Sequence, residues 1–397
     1  MSFDRPRARI RIAFALGAFA SLALPGLARA EETIKIGWLS SLTGAFSTAA
    51  IAENIGVQFA VEEINAKGGI LGRKLELVTR DTASDATKSV NLAQQLVFRE
   101  KVDYIIGPVN SGEALPAVPI IAKAGIPNFV IGTIDALIDV EKYPRAFRLI
   151  NTNEQWIRAA NDYVLNVLRK RKIAIIGDTT GYGTAAPKQA TAMLAKLGVV
   201  PVYTVLINTD KTDITDEMNK AREAGADVIM PWHAATGLQA RILNTRGEMK
   251  WDVPVVGHPT VSALAVKPLL NKPEYWDNVF AAGYVSTTYR EDGTLPPATQ
   301  RLLDAIRPKL GAGDLEFTFW WVALGYDCVK VYQYAAEKAG STDPAAIQKV
   351  LEASDRIPGV YTSYSYSPTQ RNGFPDSDIV MIRANSFKNG GYYPARR

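Results

Sequence analysis

The sequence is poor in the residues from which disulfides and metal sites are built. Its 397 residues include one cysteine, Cys328, and two histidines, His233 and His258. A single cysteine excludes an intramolecular disulfide and a cysteine-ligated metal cluster. The two histidines do not stand at a metal-ligand spacing. We therefore expect neither a metal site nor a cofactor.

The motifs of common enzyme classes are also missing. The segment "GDTTGYG", with Gly177, Gly181 and Gly183, is neither a Walker A loop nor a G-x-G-x-x-G motif, and no Lys-Ser/Thr pair follows it. No G-x-S-x-G elbow and no Ser/His/Asp grouping stands out. We expect no catalytic residues and no enzymatic activity.

No apolar run is long enough to span a bilayer, which needs about 20 residues. The apolar run at residues 12–24 follows four arginines and precedes Ala28-Arg29-Ala30. This order of charge, apolar core and small residues is typical of a secretory signal peptide. We expect cleavage after residue 30, a mature chain beginning at Glu31 and no stable membrane anchor. Since no cysteine near the cleavage site can accept a lipid, the expected location is a Gram-negative periplasm.

The expected mature chain has almost no net charge. Residues 1–30 take five Arg and one Asp from totals of 45 basic and 40 acidic residues, which leaves 40 basic and 39 acidic side chains. Nucleic-acid binding depends on a clustered basic face. We expect no nucleic-acid partner.

What the sequence does contain is an alternation of strand-like and helix-like segments. They occupy residues 33–39, 52–65, 75–78, 85–100 and 103–106. The same order returns over residues 172–176, 184–197, 201–206, 213–224 and 227–230. Apolar strands separated by amphipathic helices are typical of a parallel sheet covered on both faces. Two βαβαβ halves predict an α/β protein with two Rossmann-like lobes. The C-terminal third predicts helices over 319–339 and from Asp343-Pro344, then an irregular strand-and-loop tail.

Ligands of open parallel sheets bind at the carboxyl ends of the strands. The residues at those ends are small, polar or aromatic, and they lie at 40–44, 108–112, 177–183 and 231–233. Two facing lobes bring these ends together across one cleft. We therefore expect a small-molecule ligand between the lobes.

Four residues at these strand ends are candidates for binding that ligand. Ser111 precedes a helix beginning near Glu113, whose amides and dipole favour an anion such as a carboxylate. Ser111 equally fits a helix N-cap. Tyr182 fits either a ligand contact or a packed turn. Trp232 and His233 each carry a polar atom that needs a partner, which favours the cleft over the core.

Three segments carry a resemblance to a known family: "AVEEINAKGGILGRKLELVTRDTASDATKSVNLAQQLV" at 60–97, "YIIGPVNSG" at 104–112 and "GYG" at 181–183. The chain resembles the periplasmic leucine/isoleucine/valine-binding proteins, receptors of branched-chain amino-acid ABC importers, over nearly all of its mature length. The resemblance implies the type I periplasmic binding protein fold, with two lobes joined by a three-crossover hinge. It implies an N-terminal lobe of residues 31–150 plus 285–352 and a C-terminal lobe of residues 151–284 plus 353–397.

The resemblance also assigns site residues. It places a ligand carboxylate on Ser111, assisted by backbone at Gly132 and Thr133, and a second-lobe contact on Tyr182. The family's bulky pocket aromatic falls on Ala49, and its pocket threonine falls on Ile134. The acid that holds an α-ammonium falls on Pro259, beside His258. The family's disulfide positions are Ser84 and Asn110.

These differences from the family pattern predict an enlarged pocket that keeps the anion site and loses the acceptor for an ammonium group. An unpaired ammonium is costly to desolvate. We expect an aromatic or other organic acid that stacks on Tyr182 and Trp232, with His258 or His233 bonding its distal polar group. A shift of a few residues in the alignment with the family would make Asp135 the acid that binds the ammonium group. A branched-chain or other amino acid therefore stays open as the ligand. The expected partner is an ABC importer permease and the expected state a monomer, with a ligand-binding sensor of the same fold as the alternative.

Overall fold

A parallel sheet of five strands forms the first lobe. The computed structural model describes residues 1–2, 33–310, 315 and 317–395, so nearly all of the predicted signal peptide lies outside the described residues. The strand order is β2-β1-β3-β4-β5. The strands are Ile34–Ser40 (β1), Leu75–Asp81 (β2), Tyr104–Ile106 (β3), Asn128–Val130 (β4) and Ala146–Arg148 (β5). The helices between them are Ser47–Ala66 (α1), Ala86–Gln94 (α2) and Ser111–Ala124 (α3).

The second lobe contains a six-stranded sheet of order β11-β10-β9-β8-β6-β7. Its strands are Ile173–Asp178 (β6), Tyr203–Ile207 (β7), Val228–Pro231 (β8), Val255–Gly257 (β9), Val279–Tyr284 (β10) and Ile379–Arg383 (β11). All neighbours are parallel except β11, which runs antiparallel to β10. The helices are Asn153–Asp162 (α4), Gly181–Lys196 (α5), Thr215–Glu223 (α6) and Thr236–Glu248 (α7). The predicted α/β class, with two lobes built on parallel sheets, is confirmed.

Three further helices precede β11, and one of them ties the first lobe together. They are Pro297–Leu310 (α8), Phe319–Ala339 (α9) and Pro344–Glu352 (α10). α9 lies along α1, and the two backbones approach closely at Gly56 and Gly325. A Cβ on Gly56 would overlap the carbonyl of Val322, and one on Gly325 would overlap the carbonyl of Glu53. A close crossing of this kind depends on glycine at both positions.

Helix caps explain why several predicted boundaries agree with the structure. The side chain of Asp85 accepts a hydrogen bond from the amide of Lys88 at 2.6 Å and begins α2. Asp343 accepts from the amides of Ala345 and Ala346 at 2.9 and 3.0 Å and begins α10. These carboxylates satisfy amides that have no partner inside the helix. None of the helices in the described residues is long and apolar enough to cross a membrane.

The chain passes between the two sheets through three crossovers, which follow β5, β10 and α10. One residue of the first crossover, Asn151, contacts the other two. Its side-chain oxygen accepts the hydroxyl of Tyr284, at the end of β10, and the hydroxyl of Tyr361, after α10, each at 3.1 Å. All three residues are fully buried. One amide oxygen is therefore shared by residues of all three crossovers.

Candidate ligand-binding cleft

A cavity lies between the lobes at the carboxyl ends of the strands, where the sequence predicts a ligand. It contains about 710 Å³ of atom-free space, including the part open to solvent. The predicted site residues that line it are Ala49, Ser111, Gly132, Thr133, Tyr182 and His258.

Ser111 is the first residue of α3 and not its cap. The N-cap is Asn110, whose side-chain oxygen accepts the amide of Glu113 at 3.1 Å. The Ser111 hydroxyl oxygen accepts the amide of Thr133 at 3.1 Å. The reading of Ser111 as a helix cap is therefore wrong, because Asn110 already has that role. The hydroxyl proton of Ser111 remains able to donate into the cavity.

The loop after β4 lies directly against the start of α3. A Cβ on Gly132 would overlap Leu137 and would lie 3.3 Å from the Cα of Ser111. The hydrogen bond from the backbone N–H of Thr133 to the Ser111 hydroxyl oxygen stabilises this contact. Glycine is therefore needed at residue 132 for its backbone to reach the cavity wall.

Tyr182 enters the cavity wall from the second lobe, in the first turn of α5. Its hydroxyl donates to the side-chain oxygen of Asn153 at 2.6 Å. Its ring lies 5.2 Å from the ring of His258. Burial raises the pKa of the Tyr182 phenol above its ordinary value, so the group is neutral at physiological pH. Since the hydroxyl is engaged by Asn153, Tyr182 offers a ligand its ring.

His258 follows β9 and is 5% exposed. Its Nδ1 accepts the amide of Thr260 at 3.2 Å and lies 2.8 Å from the Thr260 hydroxyl. The ring packs edge-on against Trp156, with centroids 4.8 Å apart. Burial lowers the pKa of His258 to about 3, so its imidazole is neutral at pH 7. A neutral ring with an accepting Nδ1 carries its proton on Nε2.

Sequence reasoning missed the tryptophans of the cavity wall. Trp156, Trp320 and Trp321 all line it, and Phe46 lies nearby on the first-lobe side. The rings of Trp320 and Trp321 stack with centroids 3.7 Å apart. Trp156 donates its indole N–H to the hydroxyl of Tyr284 at 2.9 Å. The two adjacent tryptophans at the start of α9 were a signal in the sequence for an aromatic site. They were missed because the site was predicted from residues at strand ends, and α9 does not follow a strand.

Three predicted site residues, Trp232, His233 and Ile134, are not among the lining residues. The amide of Trp232 donates to the carbonyl of Ile176, and its ring packs in the hydrophobic core. His233 is fully buried, and neither ring nitrogen has a hydrogen-bond partner among the described residues. The carbonyl of Ile134 accepts from the guanidinium of Arg148, and its side chain packs against the core.

Apart from the neutral His258, no lining residue in the described part of the chain is acidic or basic. Pro259 lines the cavity at the position where the family resemblance expects an acid. Asp135 is 61% exposed and accepts from the side chain of Gln189 at 3.2 Å, outside the lining set. The described cavity wall thus offers aromatic rings, hydroxyls and one neutral imidazole.

This arrangement of two lobes around one cavity is typical of a class, the solute-binding proteins. Residues 33–391 match the family described as periplasmic binding protein. A relative from Brucella suis, Leu/Ile/Val-binding protein homolog 7, is 30% identical over 388 residues, which is 94% of each chain. The chain therefore belongs to the periplasmic binding proteins of the Leu/Ile/Val-binding type. Proteins of this family bind small molecules for ABC transporters and are not enzymes.

Solved structures show the same fold. LivJ of Streptococcus pneumoniae, in complex with isoleucine, gives a TM-score of 0.76 at 23% identity and covers 91% of this chain and 98% of its own. An ABC transporter solute-binding protein of R. palustris, in complex with 4-hydroxybenzoate, gives 0.74 at 21% identity, with 92% and 96% covered. The fold is shared by receptors with chemically different ligands.

Proposed function

We propose that this protein captures an aromatic or other apolar organic acid between its lobes and delivers it to an ABC importer permease. The observation that carries the proposal is the cavity wall. It combines the start of α3 with the rings of Trp156, Trp320 and Trp321, and no acidic side chain faces it among the described residues.

The ligand carboxylate is assigned to the start of α3. The amides of Glu113 and Ala114 donate to Asn110. The amides of Ser111 and Gly112 precede the first helical hydrogen bond, so they have no acceptor inside the helix. With the Ser111 hydroxyl and the helix dipole, they favour a carboxylate at this position.

The absence of an acid from the cavity wall, as far as the described residues form it, argues against an amino-acid ligand. An ammonium group loses its hydration in a closed cleft, and without a carboxylate partner this costs several kcal/mol. Pro259 has no side-chain acceptor for it. The aromatic wall favours a flat apolar body instead, since stacked and edge-to-face ring pairs are attractive.

The two solved structures represent the two candidate ligand classes. The R. palustris protein holds 4-hydroxybenzoate and LivJ holds isoleucine. The uncharged wall around Pro259 favours the first class. A branched-chain amino-acid carrier remains the second candidate, supported by the names of the curated relatives.

Delivery of the ligand to a permease is inferred from the family, and the location of the protein is inferred from the sequence. We place the mature protein in the periplasm as a monomer, after removal of residues 1–30. The lobes are proposed to comprise residues 31–150 plus 285–352 and residues 151–284 plus 353–397, with the three crossovers as the hinge. A free carrier is favoured over a sensor because the family works with ABC permeases.

Isothermal titration calorimetry tests the ligand class. The purified full chain is titrated with benzoate, 4-hydroxybenzoate, leucine and isoleucine, after unfolding and refolding to remove co-purified ligand. We expect heat from the aromatic acids and none from the amino acids. Tight leucine or isoleucine binding with no response to either benzoate would overturn the proposal.

A further inference from the structure

The second-lobe end of the cavity has hydrogen-bond donors of its own. α7 begins at Thr236, which lines the cavity, and the preceding Ala235 provides no side-chain cap. The amides of Leu238 and Gln239 donate to the carbonyl of Ala235 at 3.1 Å each. The amides of the first two helical residues have no acceptor inside the helix. The positive end of α7 therefore faces the ligand space.

His258 provides an independent donor at the same end. It is 95% buried, being 5% exposed, and it lines the cavity. Its Nδ1 is occupied by the amide of Thr260, which places the ring proton on Nε2. None of the described residues accepts a hydrogen bond from that Nε2. That Nε2 is not among the fully enclosed side-chain atoms without a partner, so it is open to the cavity, where a ligand can supply the acceptor.

Neighbouring polar groups of the wall already have acceptors in the protein. The Tyr182 hydroxyl donates to Asn153, and the Trp156 indole donates to Tyr284. Ser111 lies on the first lobe, at the carboxylate end. The cavity wall thus has two groups of donors, one on each lobe, together with aromatic rings.

We propose that the start of α7 and the Nε2–H of His258 form a second subsite, which binds an oxygen acceptor at the end of the ligand opposite its carboxylate. This inference rests on the proposed function. The acceptor is a hydroxyl, carbonyl or second carboxylate oxygen. A cationic group is rejected there because both parts of the subsite donate. The ligand class becomes aromatic acids with an oxygen para to the carboxylate.

A set of para-substituted benzoates tests the subsite by calorimetry. The probes are benzoate, 4-hydroxybenzoate, benzene-1,4-dicarboxylate and 4-(aminomethyl)benzoate. We expect wild type to bind one or both para-oxygen probes about fivefold to tenfold more tightly than benzoate, the size of one hydrogen bond. The hydroxyl and carboxylate arms identify which oxygen is preferred. The cationic probe is expected to bind more weakly than benzoate.

Variants of His258 separate a ligand contact from a structural role. His258→Phe removes the donor. The affinity for the preferred para-oxygen probe is then expected to equal the affinity for benzoate, so that their ratio is one. His258→Gln places an amide N–H near the Nε2 position and is expected to restore part of the ratio. Tyr182→Phe is the matched control, because its hydroxyl is bonded to Asn153. It is expected to change the affinities by a common factor and leave the ratio unchanged.

Each negative result has its own meaning. If wild type binds none of the aromatic acids, the aromatic-acid part of the proposed function is overturned and the subsite with it. If wild type binds them without preference, or His258→Phe weakens all by one factor, only the subsite is overturned. Should His258→Phe fail to fold, the preference of wild type and the ratio in His258→Gln still decide the question.

Discussion

Gly112 and Gly181 face each other across the cleft. A Cβ placed on Gly181 would lie 3.1 Å from the Cα of Gly112. The two glycines stand in the first turns of α3 and α5, so the helix starts of the two lobes touch through backbone alone. At this point the two lobes approach each other through two residues without side chains.

Gly181→Ala is expected to hold the lobes apart. The added methyl group meets the backbone of α3, and overpacking of this kind costs about 1–3 kcal/mol, so ligand affinity falls roughly tenfold. Calorimetry measures the affinity, and small-angle scattering measures compactness with ligand bound. Lys188→Ala, an exposed change on the same helix, is the control. An unchanged affinity in Gly181→Ala would show that the lobes need not close to this contact.

Ser111→Ala is expected to weaken carboxylate binding. It removes a hydroxyl donor to a charged group, a loss of about 1.5–3 kcal/mol, and also frees the amide of Thr133. Thr180→Ala is the comparison, because Thr180 caps α5 by accepting the amide of Gly183 at 3.0 Å. We expect Thr180→Ala to lower the melting temperature more than the affinity, and Ser111→Ala to do the reverse. Similar profiles for the two variants would contradict the carboxylate assignment.

Trp321→Leu is expected to weaken the binding of aromatic ligands in particular. Trp321 lines the cavity and stacks on Trp320. Replacing one aromatic partner removes about 0.5–1.5 kcal/mol beyond the area it buries. Affinity and the change in tryptophan fluorescence on titration with benzoate give the measurement. Trp251→Leu, which lies outside the cavity lining, controls for the general loss of a tryptophan. Equal effects of both changes would argue against ring stacking on the ligand.

Ligand affinity is expected to stay constant between pH 5.5 and 8. Burial lowers the pKa of His258 from its ordinary value to about 3, so the ring stays neutral over this range. A histidine titrating near its ordinary pKa of about 6.5 would become cationic on acidification and attract an anionic ligand more strongly. Calorimetry at several pH values with benzoate checks this. A rise in affinity as the pH falls through 6.5 would show that His258 is not protected from protonation.

Asp327 on α9 is expected to make stability depend on pH. It accepts the amides of Val360 and Tyr361 at 2.8 Å and the hydroxyl of Tyr364 at 2.9 Å. Burial raises its pKa to about 7. The folded protein binds this proton more tightly than the unfolded chain, so the group's stabilising effect is present at low pH and is lost as the pH rises through 7.

The variant Asp327→Asn isolates this titration. The free energy of unfolding of wild type minus that of Asp327→Asn is expected to decrease between pH 5 and pH 8. Urea unfolding at each pH gives the difference, and the exposed change Asp304→Asn on α8 is the control. A difference that increases with pH would mean that Asp327 is stabilised as a carboxylate by its three donors.

The sequence predicted the elements whose boundaries depend on local chemistry. α9 spans Phe319–Ala339 as predicted because Gly340, with φ of 60°, ends it. α2 and α10 begin after the carboxylates of Asp85 and Asp343. Near-continuous apolar strands were sufficient to predict two parallel sheets. The tail was harder, because β11 depends on pairing with β10 and not on its own composition.

The cavity wall was only partly predictable for a geometric reason. Ser111 and Tyr182 stand just after predicted strands, so their positions follow from the sheet, whereas His258 was expected only from the family resemblance. Trp156 and Trp320 lie on helices after crossovers, and only the tertiary fold brings them to the ligand space. Trp232 continues the pairing of its strand with β6, which turns its ring into the core. A shift of one residue in the register of a strand turns the side chain at its end to the other face of the sheet.

The shared oxygen of Asn151 links the first crossover to the other two. We therefore expect any rotation of one sheet relative to the other to turn about a point close to that oxygen. Displacement then grows with the length of the lever arm. Pairs of spin labels or fluorophores will report almost nothing near Asn151 and most at the ends of the lobes. The best sites for observing transport-linked motion are therefore those farthest from this one amide.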